Sequence, residues 1–542
     1  MTSCVYMKIR WSFAVGVSVP QMAEKFQRIS VIFTKKEGRR ARKEAKTVFP
    51  KGEERAILLF TQKRKWYPVE QTRHSDEILA TAPIGKLILK LAVPSVAAQI
   101  INMLYNIVDR IYIGHIPEIG DVALTGVGVT FPIITLISAF AAFAGQGGAP
   151  LAAIQLGAKR RVEAQRILGN SLTMLLCAAV VLTVGFSIFQ EPILYAFGAS
   201  DATIGYAKEY IGIYLLGTVF VQLALGLNPF ISAQGRATTA MLSVLIGAIL
   251  NIVLDPIFIF VLGMGVRGAA LATILSQAVS AAWVVAFLCS RRSSLRLHRV
   301  FLIPNKRIIG RIAGLDPDAV EVRLDGRVLA PVLAVGVSPF IMQSTESLVT
   351  VVLNTGMQTY GGDLYVGSIT IMQSIMQMIV MPVQGITQGT QPIMSYNYGA
   401  QNFRRVRQTF KRLLTITLSV TCAAFLVIAV FPGLLARIFT PQPQLIGLVS
   451  RVMPLFFGGI WAFGAQMACQ TTFMALGQAR TSLFLALLRK VILLVPLALI
   501  LPRVTGSVFG IYAAEPIADV LASAPTLSLF LTRRKKLLPV EE

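Results

Sequence analysis

A single carboxylate inside a long apolar stretch constrains this chain more than any other feature. Residues 240–265 are numerous enough to cross a bilayer as a helix, and Asp255 is their one charge. Asn251 lies four residues earlier, so on a helix both side chains share one face, about 6 Å apart along the axis. Pro256 follows and removes a backbone donor, which favours a local break. A carboxylate at mid-membrane costs roughly 2.5–3.5 kcal/mol, so a partner, a cation or a proton must compensate it.

The composition is that of a polytopic membrane protein. Of the 542 residues, 54% are hydrophobic and 14% are charged, whereas soluble domains have about 25% charged residues. We assign the net charge of +25 to basic loops that set membrane topology, and not to nucleic-acid binding. Five cysteines and three histidines show no metal-ligand spacing, and no nucleotide-binding or hydrolase motif occurs. We therefore predict no cofactor, no direct use of ATP and no enzyme activity.

The pattern of apolar runs predicts an all-α fold with twelve transmembrane helices. The predicted spans are residues 86–113, 122–146, 166–189, 206–232, 239–262, 266–289, 328–356, 364–393, 408–431, 446–475, 482–502 and 507–531. Basic residues concentrate after every second span, as in residues 156–166, 290–299 and 533–536. By the positive-inside rule, both termini are predicted to be cytoplasmic.

The two sets of six spans repeat at an offset of 242 residues. Residues 146–158 align with 388–400, residues 233–239 with 475–481, and residues 266–272 with 508–514. Each half has an even number of spans, so both halves enter the membrane from the same side. We predict two six-helix bundles related by a pseudo-twofold axis along the membrane normal, with a transport route between them.

These features give five predicted regions. Residues 84–290 and 328–532 form the two bundles, 291–327 form a cytoplasmic linker, and 533–542 form a cytoplasmic tail. Residues 1–83 are a basic N-terminal tail without an apolar run of ~20 residues. This tail is a segment that lies on anionic lipid, a disordered segment, or upstream sequence included by a mistaken start site. We favour a tail without function or a mistaken start.

Other polar residues inside the spans supply further candidate ligands. Asp109 lies in span 1 beside Arg110, which can reach a membrane interface, and Pro94 lies four turns earlier as a possible hinge. Thr273 in span 6 and Asn228 in span 4 add a hydroxyl and an amide. With Asn251 and Asp255, these residues offer hard oxygen ligands for Na⁺ or a shared proton. The alternatives are that Asp109 caps its helix or pairs with Arg110, and that Asn251 and Asp255 form a satisfied structural hydrogen-bond network.

The second half also carries charges within its apolar runs. Glu346 lies in span 7, and Glu515 and Asp519 share one face of span 12 at positions i and i+4. They are candidates for a second proton or substrate site. The methionine-rich residues 371–381 serve either as ordinary packing or as the lining of an adaptable cavity.

Several motifs, in one order, resemble the MATE family (multidrug and toxic-compound extrusion), and its bacterial MepA-like branch in particular. The motifs are LAVPS, NMLYNIVDRIYIGHI, ALTGVGVTFPI, GQGGAPLAAIQLG, NPFISAQG, LNIVLDPIF and SPFIMQ, and the resemblance covers about residues 83–532. It implies twelve helices in two bundles. It also implies a secondary antiporter of a bacterial inner (plasma) membrane that exchanges Na⁺ or H⁺ for amphipathic, often cationic drugs.

The resemblance implies roles for particular residues. The cation site it implies consists of Asp109, Asn251, Asp255 and Thr273. It matches a bending proline to Pro94 and substrate-cavity residues to Asn228 and Tyr210, to which we add Glu346.

The resulting hypothesis is multidrug efflux by alternating access, in which the coupling ion and the drug compete for the same carboxylates. The expected partners are small amphipathic cations and membrane lipids, and the expected state is a monomer. The alternative is a lipid-linked saccharide flippase, which would need basic residues inside the spans to hold a diphosphate. The candidates Arg110, Arg489 and Lys490 are all predicted to lie near membrane edges.

Overall fold

A computed structural model describes residues 78–297 and 325–539. The regular structure of these two ranges is helical, with no β-strand among them. Most of the predicted N-terminal tail and of the predicted linker lies outside the described residues.

The first half consists of eight helices in the order of the predicted spans. They are α1 (Ile84–Gly114), α2 (Gly120–Gly157), α3 (Arg161–Ile188), α4 (Gln190–Ala196), α5 (Ile204–Leu216), α6 (Thr218–Ser232), α7 (Ala237–Pro256) and α8 (Gly265–Cys289). A π-helical segment, Ile257–Val261, follows α7 directly. The departure from α-helical geometry thus begins after Pro256, as the missing backbone donor predicts.

The second half consists of nine helices. They are α9 (Gly326–Gly361), α10 (Asp363–Gly399), α11 (Phe403–Val430), α12 (Pro432–Phe439), α13 (Pro443–Phe456), α14 (Ile460–Ala475), α15 (Ala479–Leu487), α16 (Val495–Thr505) and α17 (Phe509–Leu537). A second π-helical segment, Leu488–Leu494, joins α15 to α16.

Within the described residues, nine helices are long and apolar enough to cross a membrane, or up to eleven if each bent pair is one span. The bent pairs are α5 with α6, at 59°, and α13 with α14, at 49°. Two spans predicted as continuous, 206–232 and 446–475, are therefore broken in the middle. Helix α17 covers the predicted twelfth span but is too polar to count as a candidate, so the twelve-span topology stays a prediction.

Buried apolar side chains form clusters within each half and one cluster across them. Val266 and Tyr210 belong to a first-half cluster, and Tyr512 and Phe457 belong to a second-half cluster. The cluster that crosses between the halves packs first-half residues such as Leu87 against Val332, Ile393 and Tyr396.

Glycines bring the two halves into close backbone contact at one end of the molecule, which we call the basic end because the basic loops 158–160 and 233–236 lie there. A Cβ added at any of several glycines would meet backbone of the opposite half closer than 3.0 Å. They are Gly147, Gly157, Gly336, Gly385, Gly389 and Gly399. All six lie in the parts of α2, α9 and α10 nearest the basic end. We call this contact the seam.

Polar contacts to backbone carbonyls reinforce the seam. Asn397 Nδ2 donates to the carbonyl of Leu79 at 2.9 Å, and Arg405 Nη2 donates to that of Ala82 at 2.7 Å. Gln99 in α1 and Gln388 in α10 are joined by a hydrogen bond of 3.0 Å. The chain segment before α1 is thereby tied to the second half.

We expect Gly147→Ala to destabilise the protein and Gly128→Ala, in the same helix, to leave it unchanged or more stable. Alanine adds helix propensity of roughly 0.5–1 kcal/mol at either position. At Gly147 the new methyl group meets the backbone of Val332 and Gly336, and such overpacking costs about 1–3 kcal/mol, whereas Gly128 has open space. Thermal unfolding of the purified variants measures the difference. Equal melting temperatures would contradict the assigned role of the seam.

Candidate functional site

Asn251 and Asp255 form the buried polar face of α7. Their side chains are 2% and 0% exposed. Asn251 Nδ2 donates to Asp255 Oδ1 at 3.0 Å and lies 3.5 Å from Thr273 Oγ1 in α8. The i and i+4 spacing predicted from the sequence therefore brings these two side chains together, and α8 supplies the predicted hydroxyl.

Asp109 in α1 completes the group. Its carboxyl group interacts directly with that of Asp255, so two acidic side chains from different helices share one site. Arg110 is exposed and turns away, with its guanidinium 5.0 Å from the ring centroid of Phe131. Within the described residues no ion pair joins Asp109 to Arg110, which contradicts the pairing considered as an alternative.

Tyr210 in α5 borders the same group. Its side chain is 4% exposed, its hydroxyl interacts with that of Thr273, and its ring stacks on Tyr214 with centroids 6.3 Å apart. The matched tyrosine is therefore next to the four predicted cation ligands.

Three oxygen atoms of this site are buried without a hydrogen-bond donor. They are Asp109 Oδ1, Asn251 Oδ1 and Asp255 Oδ2. Buried acceptors are normally paired, because an unpaired one loses its hydration without compensation. The alternative of a fully satisfied structural network does not match this arrangement. Three convergent acceptors from acidic and amide side chains suit a small hard cation or a proton.

Two other predicted residues lie away from the cation site. Pro94 is inside the continuous helix α1. Asn228 Nδ2 donates to the carbonyl of Ala240 at 2.9 Å and to Ser243 Oγ at 2.7 Å. Ser243 precedes Asp255 by twelve residues, about 18 Å along the axis of α7. Asn228 instead borders a small pocket between the halves that is partly open to solvent.

Glu346 belongs to a separate ionic cluster in the second half. It pairs with Lys490, while Arg489 pairs with Glu515 at 2.8 Å and with Asp519 at 2.6 Å. Lys490 is 9% exposed, and the side chain of Arg489 is 12% exposed. The expectation that these two bases lie near membrane edges is wrong, because both lie in the middle of a span and face carboxylates. The sequence held a signal for this cluster: Glu515 and Asp519 share one helical face, and Arg489 and Lys490 are two adjacent bases within another apolar run.

Comparison with known proteins agrees with this architecture. Multidrug export protein MepA of Staphylococcus haemolyticus is 23% identical over 449 residues, which cover 82% of this chain and 94% of that protein. A FAD transporter of Shewanella oneidensis is 24% identical over 453 residues, with 82% and 93% coverage. The solved outward-facing structure of a multidrug resistance MATE family transporter of the MOP superfamily is 25% identical. It matches with a TM-score of 0.75 over 85% of this chain and 98% of that one.

The fold and the site together define a multi-pass helical membrane transporter. The model of the family described as MatE matches residues 94–257 and 339–500, which is more than half of the chain. This chain belongs to the MatE family. The two matched ranges begin at an interval close to the 242-residue offset of the sequence repeat.

The unpaired oxygens predict that a monovalent cation stabilises the purified protein. Adding NaCl in place of choline chloride at fixed pH should raise the melting temperature if Na⁺ is the ligand; acidification should raise it if the ligand is a proton. At a hundredfold excess over the Kd, binding adds about 2.7 kcal/mol to the free energy of unfolding. Asp255→Asn should lose this response, and the exposed Asp201→Asn should keep it. If Na⁺ or acid still raises the melting temperature of Asp255→Asn, the ligand does not bind at Asp255.

Proposed function

We propose that this protein is a secondary active multidrug efflux antiporter. It exports amphipathic cations in exchange for Na⁺ or H⁺. The observation that carries the proposal is the set of unpaired, buried oxygens on Asp109, Asn251 and Asp255; among the described residues no ion pair involves either acid. Family membership and the likeness to multidrug export protein MepA support the same function.

Competition for one negative site couples the two fluxes in this proposal. The coupling ion binds at Asp109 and Asp255 from outside and displaces the cationic drug. After the ion leaves to the inside, the free carboxylates attract the next drug molecule. Each positive charge that moves inward at −100 mV releases about 2.3 kcal/mol, which drives export.

The close contact along the seam supports alternating access. The six glycines of the seam all lie toward the basic end, which is the predicted cytoplasmic side, and the cation site lies in the opposite halves of α1, α7 and α8. We infer that the described conformation is closed to the cytoplasm and open to the outside. The inward-open conformation would separate α1 from α10 and α2 from α9.

We propose Tyr210 and Glu346 as substrate contacts near the middle of the molecule, and Asn228 as a contact nearer the basic end. Asn228 borders its pocket together with Gln146, Gln388 and Gln391. An amide-rich wall can accept varied polar groups, which suits a broad range of substrates. Pro94 is the proposed bending point of α1.

The flippase alternative finds less support. A lipid diphosphate needs cationic groups that are free to bind it. Although Arg489 and Lys490 lie inside a span, they face three carboxylates, those of Glu346, Glu515 and Asp519. With all five groups ionised, the cluster carries one net negative charge and favours a cation. We further propose an inner-membrane monomer with both termini in the cytoplasm.

We expect Asp255→Asn to abolish drug export without preventing membrane insertion, because amide replacement removes the charge for which drug and ion compete. Ethidium efflux from energised cells that lack their own pumps measures export, with wild type and variant compared at matched membrane expression. Glu209→Gln, which changes an exposed surface ion pair of α5, is the control and should export normally. Equal efflux by wild type and Asp255→Asn would overturn the assignment of the coupling site.

A further inference from the structure

The ionic cluster of the second half contains three ion pairs, which differ in their exposure to solvent. Arg489 lies between Glu515 and Asp519, whose side chains are 8% and 2% exposed, and its guanidinium lies 4.7 Å from the ring centroid of Phe463. Lys490 pairs with Glu346, whose side chain is 62% exposed, and Nζ also donates to the carbonyl of Met342 at 3.1 Å. The two ion pairs of Arg489 are shielded from solvent, whereas the Glu346 carboxylate, which pairs with Lys490, remains accessible to solvent.

Glu346 points into the interior of the second half, and not toward lipid. It shares a helical face of α9 with Met342, Val349 and Leu353, which lie four, three and seven residues away. Val349 and Leu353 are buried in the second-half cluster, whereas Leu348 and Val351, on the opposite face, are exposed. A highly exposed side chain on a buried face marks an open space inside the bundle. Glu346 therefore faces open space on the interior side of α9.

Apolar side chains lie next to the ion pair of Lys490 and Glu346, and a buried amide lies on the same helix as one of them. Met342 packs against a small cluster formed by Val383, Phe463 and Met467. Gln466 lies on the same face of α14 as Phe463, and its side chain is 2% exposed with Oε1 unpaired. Lys490 keeps a hydrogen-bond acceptor if Glu346 binds another group, because its Nζ also donates to the carbonyl of Met342 at 3.1 Å.

We propose that Lys490 competes with the substrate for Glu346. Lys490 pairs with Glu346 while the site is free, and the cationic group of an amphipathic substrate replaces Lys490 when it binds. The apolar cluster would hold the remainder of a monocationic substrate. The single net negative charge of the five ionised groups matches one such cation. This inference rests on the proposed function. In it, Lys490 determines how tightly the substrate binds.

The competition predicts opposite effects for the two partners of one ion pair. Lys490→Gln removes the competitor and should lower the Kd for tetraphenylphosphonium about tenfold. Glu346→Gln removes the binding carboxylate and should raise that Kd about tenfold. Equilibrium dialysis with purified protein measures both values. A purely structural ion pair would instead weaken binding in both variants, because each leaves one charge without its partner.

Controls separate this inference from folding and from the proposed function. Lys208→Gln and Glu191→Gln break an exposed ion pair of 2.8 Å in the first half and should leave the Kd unchanged. If Lys490→Gln alone does not fold, the double variant Glu346→Gln/Lys490→Gln replaces it in the test, because removing both charges leaves neither one unpaired. It should bind the cation several-fold more tightly than Glu346→Gln does. Equal affinities there would overturn the inference.

The outcomes of the two proposals are distinguishable. If wild type neither binds tetraphenylphosphonium nor exports ethidium, the proposed function fails. If wild type binds and exports but both variants shift the Kd in the same direction, the role of Lys490 fails while the transport function stands.

Discussion

The cost of holding a carboxylate among apolar helices governs how the first half of this protein is built. Asp255 is fully buried, so α7 must turn its polar face toward α1 and α8 and its apolar faces toward lipid and neighbouring helices. Asn251 supplies one donor to Asp255, and Asp109 adds a second acid where a base would have been the simpler partner. Three oxygen atoms of the site thus lack a hydrogen-bond partner among the described residues, and these are the atoms that the proposed exchangeable ion would contact.

The seam is built from interactions that permit it to separate. Glycines allow backbones to approach closely, so the contact gains dispersion energy from many weak pairs. Phe140 and Phe143 of α2 also pack against Phe340 of α9, with ring centroids 5.0 and 5.4 Å apart. Its polar contacts are hydrogen bonds to backbone carbonyls and one between two amides, each worth about 0.5–1.5 kcal/mol net when neutral. A contact of this kind can be stable in one conformation and still exchange with another, as alternating access needs.

The sequence was informative where helical periodicity alone decides the outcome. The spacing of Asn251 and Asp255 fixes a shared face, and that of Glu515 and Asp519 does the same. The structure confirms both pairs as neighbours: Asn251 donates to Asp255, and Glu515 and Asp519 both accept from Arg489. Depth along a helix and contacts between helices were not predictable in this way. Asn228 lies far from Asp255, and Lys490 is buried, because these placements depend on how helices cross. The break at Gly217 similarly depends on tertiary packing, since the glycine leaves room for Ile274.

The two halves compensate buried acids in opposite ways, although the sequence repeat gives them related scaffolds. At the 242-residue offset, Thr273 corresponds to Glu515, whereas Asp255 corresponds to Leu497. The first half keeps acids without internal cations, and the second half places Arg489 and Lys490 against its acids. An ion that enters the first half therefore changes the net charge of an acidic site, whereas a cationic substrate that binds Glu346 would neutralise the single net negative charge of the second-half cluster. In the two proposals the related bundles therefore have different roles. The coupling ion and the drug compete for the acids of the first half, and the pairing of Lys490 with Glu346 in the second half sets the affinity for the drug.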